Sequence, residues 1–180
     1  MLTMSTIALP EARYHPVSRL LHWAIVALIL LEYPLAWLMT DHRGAPEDAL
    51  ATWHIGVGTT ILTLFVLRLL WRLIKTPPPH PPMPAWQALA AQATHALLYA
   101  GFVLLPLLGW LAASAREWPV HWLGLWPLPA LFPANATWAE LLGDAHQVVA
   151  LGLLGLIGLH VAAALYHAFI LRDGSLRRML

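Results

Sequence analysis

Residues 145–171 read AHQVVALGLLGLIGLHVAAALYHAFIL, a run of 27 residues with no Asp, Glu, Lys or Arg but with three histidines. A helix crossing the hydrocarbon core of a bilayer needs roughly 20 consecutive, mostly apolar residues. Three further stretches, about 17–39, 53–75 and 88–113, meet the same criterion. The sequence therefore predicts an all-α integral membrane four-helix bundle in a single domain, 1–180, with those four spans. Composition agrees: 59% of residues are apolar and 11% charged, against a charged share of about a quarter in soluble domains. The first span follows Arg13 and Arg19 as a signal peptide would, yet it is long enough to cross and no small-x-small cleavage site follows it, so it is read as a retained helix.

Several chemistries are excluded outright. The chain has no cysteine, which removes disulfides, thiolate-bound zinc, iron–sulfur clusters and covalent C-x-x-C-H haem attachment. A net charge of +1 gives no basis for bulk nucleic-acid binding. Many of the ten tryptophans flank the apolar blocks, where interfacial belts of lipid-contacting aromatics belong.

The links carry the polar residues. The first, 40–52, holds Asp41, Arg43, Glu47 and Asp48. The second holds Pro77-Pro78-Pro79-His80-Pro81-Pro82-Met83-Pro84, which cannot be helical because proline lacks an N–H and clashes with the preceding turn. The third, about 114–143, is expected to lie as an amphipathic cap on the membrane face. Arg13, Arg19, Arg68, Arg72, Lys75, Arg172, Arg177 and Arg178 fall at one end of the spans, and Arg43 and Arg116 at the other. Eight against two is a positive-inside pattern that predicts cytoplasmic N- and C-termini. Asp41, Glu47, Asp48, Glu117, Glu140 and Asp144 lie on the outer side.

Ten histidines are many for this length, and their depths are informative. His15, His42, His80 and His121 fall in tails or links. His22, His54, His95, His146, His160 and His167 fall within the apolar blocks, where a titratable side chain is costly and usually faces the bundle interior for a functional reason. At 1.5 Å of rise per residue, His54 and His146 lie within roughly 5 Å of the outer boundary. His22 and His95 lie about 27 Å in, His160 about 24 Å and His167 roughly 34 Å. His146 and His160, 14 residues apart, point along nearly one helix face, and His167 follows close to it. A non-covalent haem b held by two imidazoles needs them at equal height on facing helices of a bundle. His54 with His146 satisfies this near the outer face; His160 can pair with either His22 or His95, and height alone does not choose. Two haem b groups are expected. Gly56 and Gly58, and on the fourth helix Gly152, Gly155 and Gly158, either make room beside these ligands or pack helices closely. Arg68 and Arg72 are placed to meet haem propionates or lipid phosphates, or to snorkel to the headgroups. Glu32 interrupts the first span as a proton-handling group, the partner of a histidine, or a protonated carboxyl.

These residues resemble the bacterial cytochrome b561 family, four-helix di-haem membrane proteins related to the cytochrome b subunits of hydrogenases and formate dehydrogenases. The resemblance runs over nearly the whole chain. It rests on Arg19-Leu20-Leu21-His22-Trp23, Trp53-His54-Ile55-Gly56, Val66-Leu67-Arg68-Leu69-Leu70-Trp71-Arg72, Thr94-His95-Ala96-Leu97-Leu98-Tyr99, Asp144-Ala145-His146 and Gly158-Leu159-His160 through Tyr166-His167. It implies that His22 and His160 bind the inner haem and His54 and His146 the outer one, with His95 and His167 beside a quinone. It further implies a bacterial inner-membrane location, ubiquinone as electron acceptor, and an outer-face donor such as superoxide or a periplasmic or dehydrogenase partner. Both an oxidoreductase acting on superoxide and a plain electron carrier fit. Superoxide is an anion best gathered by a basic surface, whereas the outer side carries two basic and six acidic residues, a formal −4. A haem-bearing anchor subunit of a hydrogenase- or formate dehydrogenase-type complex is the alternative. A metal transporter is a third reading, opposed by the scarcity of acidic partners within the spans.

Overall fold

The computed structural model describes residues 13–39, 49–79 and 83–180. Four long helices carry the fold: α1 (Pro16–Leu38), α2 (Ala49–Ile74), α3 (Ala85–Ala115) and α4 (Ala136–Tyr166). A two-stranded antiparallel ribbon, β1 (His121–Trp122) and β2 (Trp126–Pro127), sits between α3 and α4. Each long helix has the length and apolar character to cross a membrane.

Local chemistry sets the helix ends. Pro16 opens α1, where its missing N–H is no loss, and the His15 ring accepts from Val17 N at 3.2 Å. Asn135 caps α4 by accepting from Trp138 N at 3.0 Å. This cap explains a difference from expectation: α4 starts nine residues ahead of residue 145, and the third link is correspondingly shorter. Nor does that link lie flat as a cap on the membrane face. Its ribbon descends along α2, with Trp122 Nε1 donating to Thr63 Oγ1 at 2.8 Å and Thr59 Oγ1 to the His121 carbonyl at 3.3 Å. Gly56 permits the approach: a Cβ there would stand 3.3 Å from Gly124 N. Residues 40–48 of the first expected link (40–52) and 80–82 of the second, with Asp41, His42, Arg43, Glu47, Asp48 and His80, lie outside the described residues, and α2 already begins at Ala49 within that first link.

The exterior is apolar, as lipid contact requires: Leu30 is 72% exposed, Leu73 81% and Ile170 67%. In lipid such surface gives no drive for helix association, so packing and polar contacts must hold the bundle, at about 0.6–2 kcal/mol per interhelical hydrogen bond. Ile25, Val57, Ile61 and Phe65 form the buried centre, with Phe65 stacked on Phe102 at 5.1 Å. Tyr33 OH donates to the Ala150 carbonyl at 2.8 Å and ties α1 to α4. α1 packs on α2, α2 on α3 and α3 on α4, but α4 packs closely on neither α1 nor α2. Close packing thus follows chain order, and α1 with α3, α1 with α4 and α2 with α4 stand apart.

After α4 the chain makes a π-helical turn, His167–Leu171, and stops at Arg172 and Gly174, both with positive φ. The tail then folds back over the start of α1. Tyr14 N donates to the Arg178 carbonyl at 3.0 Å, Trp23 Nε1 to the Met179 carbonyl at 2.9 Å, and Arg178 Nη2 to the Pro79 carbonyl at 2.7 Å. Both ends of the described chain therefore meet at one end of the bundle, the Arg- and Lys-rich end that the charge pattern predicts to be the inner one.

Asp173 anchors this turn by pairing with His167 Nδ1 and accepting from Ser175 N. Slight burial works to raise its pKa, but the hydrogen bonds from His167 and Ser175 outweigh it and hold the carboxyl below its ordinary value. A depressed folded pKa contributes stability above the unfolded value, about 3.9, that is lost as pH falls through the folded one. Hydrogen-exchange protection of residues 173–180, taken relative to the intrinsic rate at each pH, should therefore hold from neutral pH to about pH 4 and fall only below it. In Asp173→Asn that protection is expected to be low throughout.

Candidate functional site

α4 presents His146 and His160 toward the two helices it does not pack against. His54 on α2 faces His146 with ring centroids 6.0 Å apart, and His22 on α1 faces His160 at 6.4 Å. The separations bear directly on haem ligation. Imidazole nitrogens bind first-row metals at about 2.0–2.1 Å, and the ring centre lies about 1.1 Å behind the nitrogen, so two imidazoles sharing one metal have centroids about 6 Å apart. Both pairs fit, and the gaps beside α4 are where a flat macrocycle would enter. His95 also approaches His160, at 5.5 Å, so the inner level gathers three rings.

Contacts behind the outer pair orient it. His146 Nδ1 lies 2.9 Å from the Leu105 carbonyl, an arrangement in which Nδ1–H donates and Nε2 keeps its lone pair. Gly109 makes this possible, since a Cβ there would stand 3.0 Å from both Cε1 and Nδ1 of His146. His54 Nδ1 lies 3.0 Å from Glu32 Oε1. Of the readings open for Glu32, the structure selects the partner of a histidine. A Cβ at Gly58 would stand 3.1 Å from that same oxygen. Gly56 and Gly58 thus serve the ribbon and the carboxyl rather than His54 itself.

The α4 glycines do not pack against another helix of the described chain. A Cβ at Gly152, Gly155 or Gly158 would meet nothing within 4 Å. At about 100° per residue, Gly155 and Gly158 fall on the side of α4 away from its histidines, and Gly152 lies about 80° from His160. Gly109 and the Leu105 carbonyl are the features that sequence reasoning missed. A small residue in α3 lies opposite His146 only after the helices dock, and no periodicity in the chain marks it.

At the inner end Arg68 does not snorkel outward. It donates to the Ser18 carbonyl at 2.6 Å and lines a cavity of about 280 Å³ with Arg13, His15, Arg72, Lys75 and Tyr99. Among the described residues no carboxyl lines that cavity. Arg72 lies over the Tyr99 ring at 5.5 Å. Arg68 also acts electrostatically on both His22 and His160, so the basic cavity abuts the inner level. His167 lies beyond, its Nδ1 held by Asp173 and its Nε2 left for another partner.

This arrangement of histidines accompanies a match over residues 13–180 to the family model of prokaryotic cytochrome b561. The chain belongs to that family. It is 31% identical to cytochrome b561 homolog 2 of Escherichia coli K12 over 98% of this chain and 95% of that one. Cytochrome b561 homolog 1 of the same organism is 31% identical over 93% and 97% of the two chains. A protein of Yersinia pestis named probable superoxide oxidase CybB is 30% identical over 89% and 91%. As a cytochrome b561, the chain is a multi-pass bacterial membrane protein that binds haem b and transfers electrons.

Proposed function

We propose that this cytochrome b561 holds two haem b groups, with His54 and His146 binding one near the outer face and His22 and His160 the other near the inner end. The observation that carries this is the pair of facing imidazoles at each level, both drawn from α4 and both across a helix pair that does not close. Bound haem b supplies a reversible one-electron couple. The protein's own work is to set the ligands at two depths, so that an electron received at one face is passed to the other. Nδ1 contacts from Leu105 and Glu32 hold Nε2 of the outer ligands inward. Arg68, with Arg72 and Lys75 behind it, offers cations to the propionates at the inner level. The eight-to-two distribution of basic residues supports placing both termini in the cytoplasm, which makes this membrane the bacterial inner membrane.

The acceptor in this reading is ubiquinone at the inner end. His95 beside His160 and His167 beside Asp173 are the groups that meet it, His167 Nε2 being placed to hand a proton to a quinone oxygen while Asp173 steadies Nδ1. The donor is superoxide, which loses one electron and leaves as dioxygen; two such electrons and two protons convert the quinone to quinol. The name of the Yersinia relative supports this choice. So does Arg116, packed over Trp118 at 5.5 Å and acting electrostatically on His146, a local cation on an otherwise acidic face.

The purified protein is expected to carry two haem b per chain and to reduce ubiquinone when superoxide is generated. Superoxide dismutase should abolish that reduction. Reduction that survives the dismutase assigns the outer site to another donor, and a single haem per chain rejects the two-level reading.

A further inference from the structure

Glu32 is the one acidic residue in α1, and it sits some six residues, about 9 Å, inside the outer end of that helix. A carboxyl at such depth is expensive and persists where something in the interior uses it. Its side chain, 15% exposed, turns inward, bringing Oε1 to 3.0 Å from His54 Nδ1. Three local features hold it there. Gly58 leaves the space that Oε1 occupies. The adjacent Tyr33 fastens α1 to α4 through the Ala150 carbonyl. Oε2 and His54 Nδ1 are both buried without a hydrogen bond of good geometry, so Oε1 and Nδ1 meet at ion-pair distance and no other partner draws either group away.

The contact falls on the nitrogen that matters for tuning. A histidine that binds a metal through one nitrogen is oriented, and made a stronger donor, by what the other nitrogen meets. The two outer ligands differ in this respect: His146 meets a neutral amide carbonyl and His54 a carboxyl. The inner pair has the opposite surroundings. Among the described residues no carboxyl approaches His22 or His160, and the guanidinium of Arg68 acts on both. An electron-rich partner favours the oxidised metal, and a nearby cation favours the reduced one.

We propose that Glu32 is a positioning residue: through Oε1 on His54 Nδ1 it aims Nε2 at His146 and makes the outer site the lower in midpoint potential of the two. This rests on the reading that His54 and His146 hold a haem. It adds a direction, since an electron entering at the outer site then runs downhill to the inner one.

Full-length protein in detergent, wild type and Glu32→Gln, is titrated electrochemically while the haem α-band is followed. Two components are expected in the wild type. In Glu32→Gln the lower one should move to more positive potential while the other stays, with outer-haem affinity about 10–100-fold weaker. Gly58→Ala keeps the carboxyl but places a Cβ 3.1 Å from Oε1, so a smaller shift of the same component in the same direction is expected. Should Glu32→Gln not accumulate, Gly58→Ala decides alone. Two retained haems with unmoved potentials, or movement of the higher component, overturn the proposal while leaving the ligand pairs standing. A wild-type protein with one haem, or a His54→Ala variant that keeps both, refutes the pairing itself, whatever Glu32 does.

Discussion

Replacing His54 with alanine is expected to leave one haem b per chain, and the haem that remains should be the inner one. The outer level has two imidazoles, at 6.0 Å, and among the described residues no third histidine ring stands beside either of them to take over ligation. The inner level is different because three rings meet there. His22→Ala alone should lower the content to between one and two haems per chain, and His95→Ala should leave two. His95 lies only 5.5 Å from His160, however, and is placed to substitute when His22 is gone. The double variant His22→Ala/His95→Ala removes that possibility and gives the clean loss. Haem per chain by pyridine haemochrome, with a redox titration to identify the survivor, checks all four. Loss of haem from His95→Ala with full retention in His22→Ala would exchange the roles of these two residues.

The second large effect is expected at a residue with no side chain. Gly109→Val should lose the outer haem almost as completely as His54→Ala, although position 109 touches no haem ligation itself. Its Cβ would stand 3.0 Å from two atoms of the His146 ring, and the branch atoms would come closer still. The ring must rotate away, which breaks the Nδ1 contact with the Leu105 carbonyl and turns Nε2 from His54. Glycines of α4 supply the control. At Gly152, Gly155 and Gly158 a Cβ meets nothing within 4 Å, and alanine suits a helix better than glycine by about 1 kcal/mol. Gly155→Ala should therefore keep both haems and thermal stability at least equal to wild type. Fluorescence-detected melting and the haem α-band measure the contrast. Equal behaviour of the two variants would contradict the packing of α3 on His146.

Much of this was legible in the chain because a membrane imposes a coarse and strict grammar. Apolar length fixes where helices run, since backbone polar groups in lipid must be satisfied within the helix. Rise per residue then converts the positions of His22, His54, His95, His146, His160 and His167 into depths, and helical period places His146 and His160 on one face. Depth and period are properties of one helix at a time. Neither says which face of α3 meets α4, or which way an acidic side chain turns.

Those matters waited on the docking of the helices. Sequence spacing suggested Gly152, Gly155 and Gly158 as room for a ligand or as a helix contact, and no helix of the described chain packs on them; the room for the His146 ring comes from Gly109, on another helix. Sequence left Glu32 among three roles, and packing put its oxygen on His54. The start of α4 depended on a cap by Asn135 that hydropathy does not register. The sequence alone thus determined a membrane bundle with histidines at two heights, because hydrophobic length and helical pitch are local quantities. The tertiary structure decided what stands behind each histidine, because those contacts join residues about 22 to 41 positions apart and exist only once four helices share a common interior.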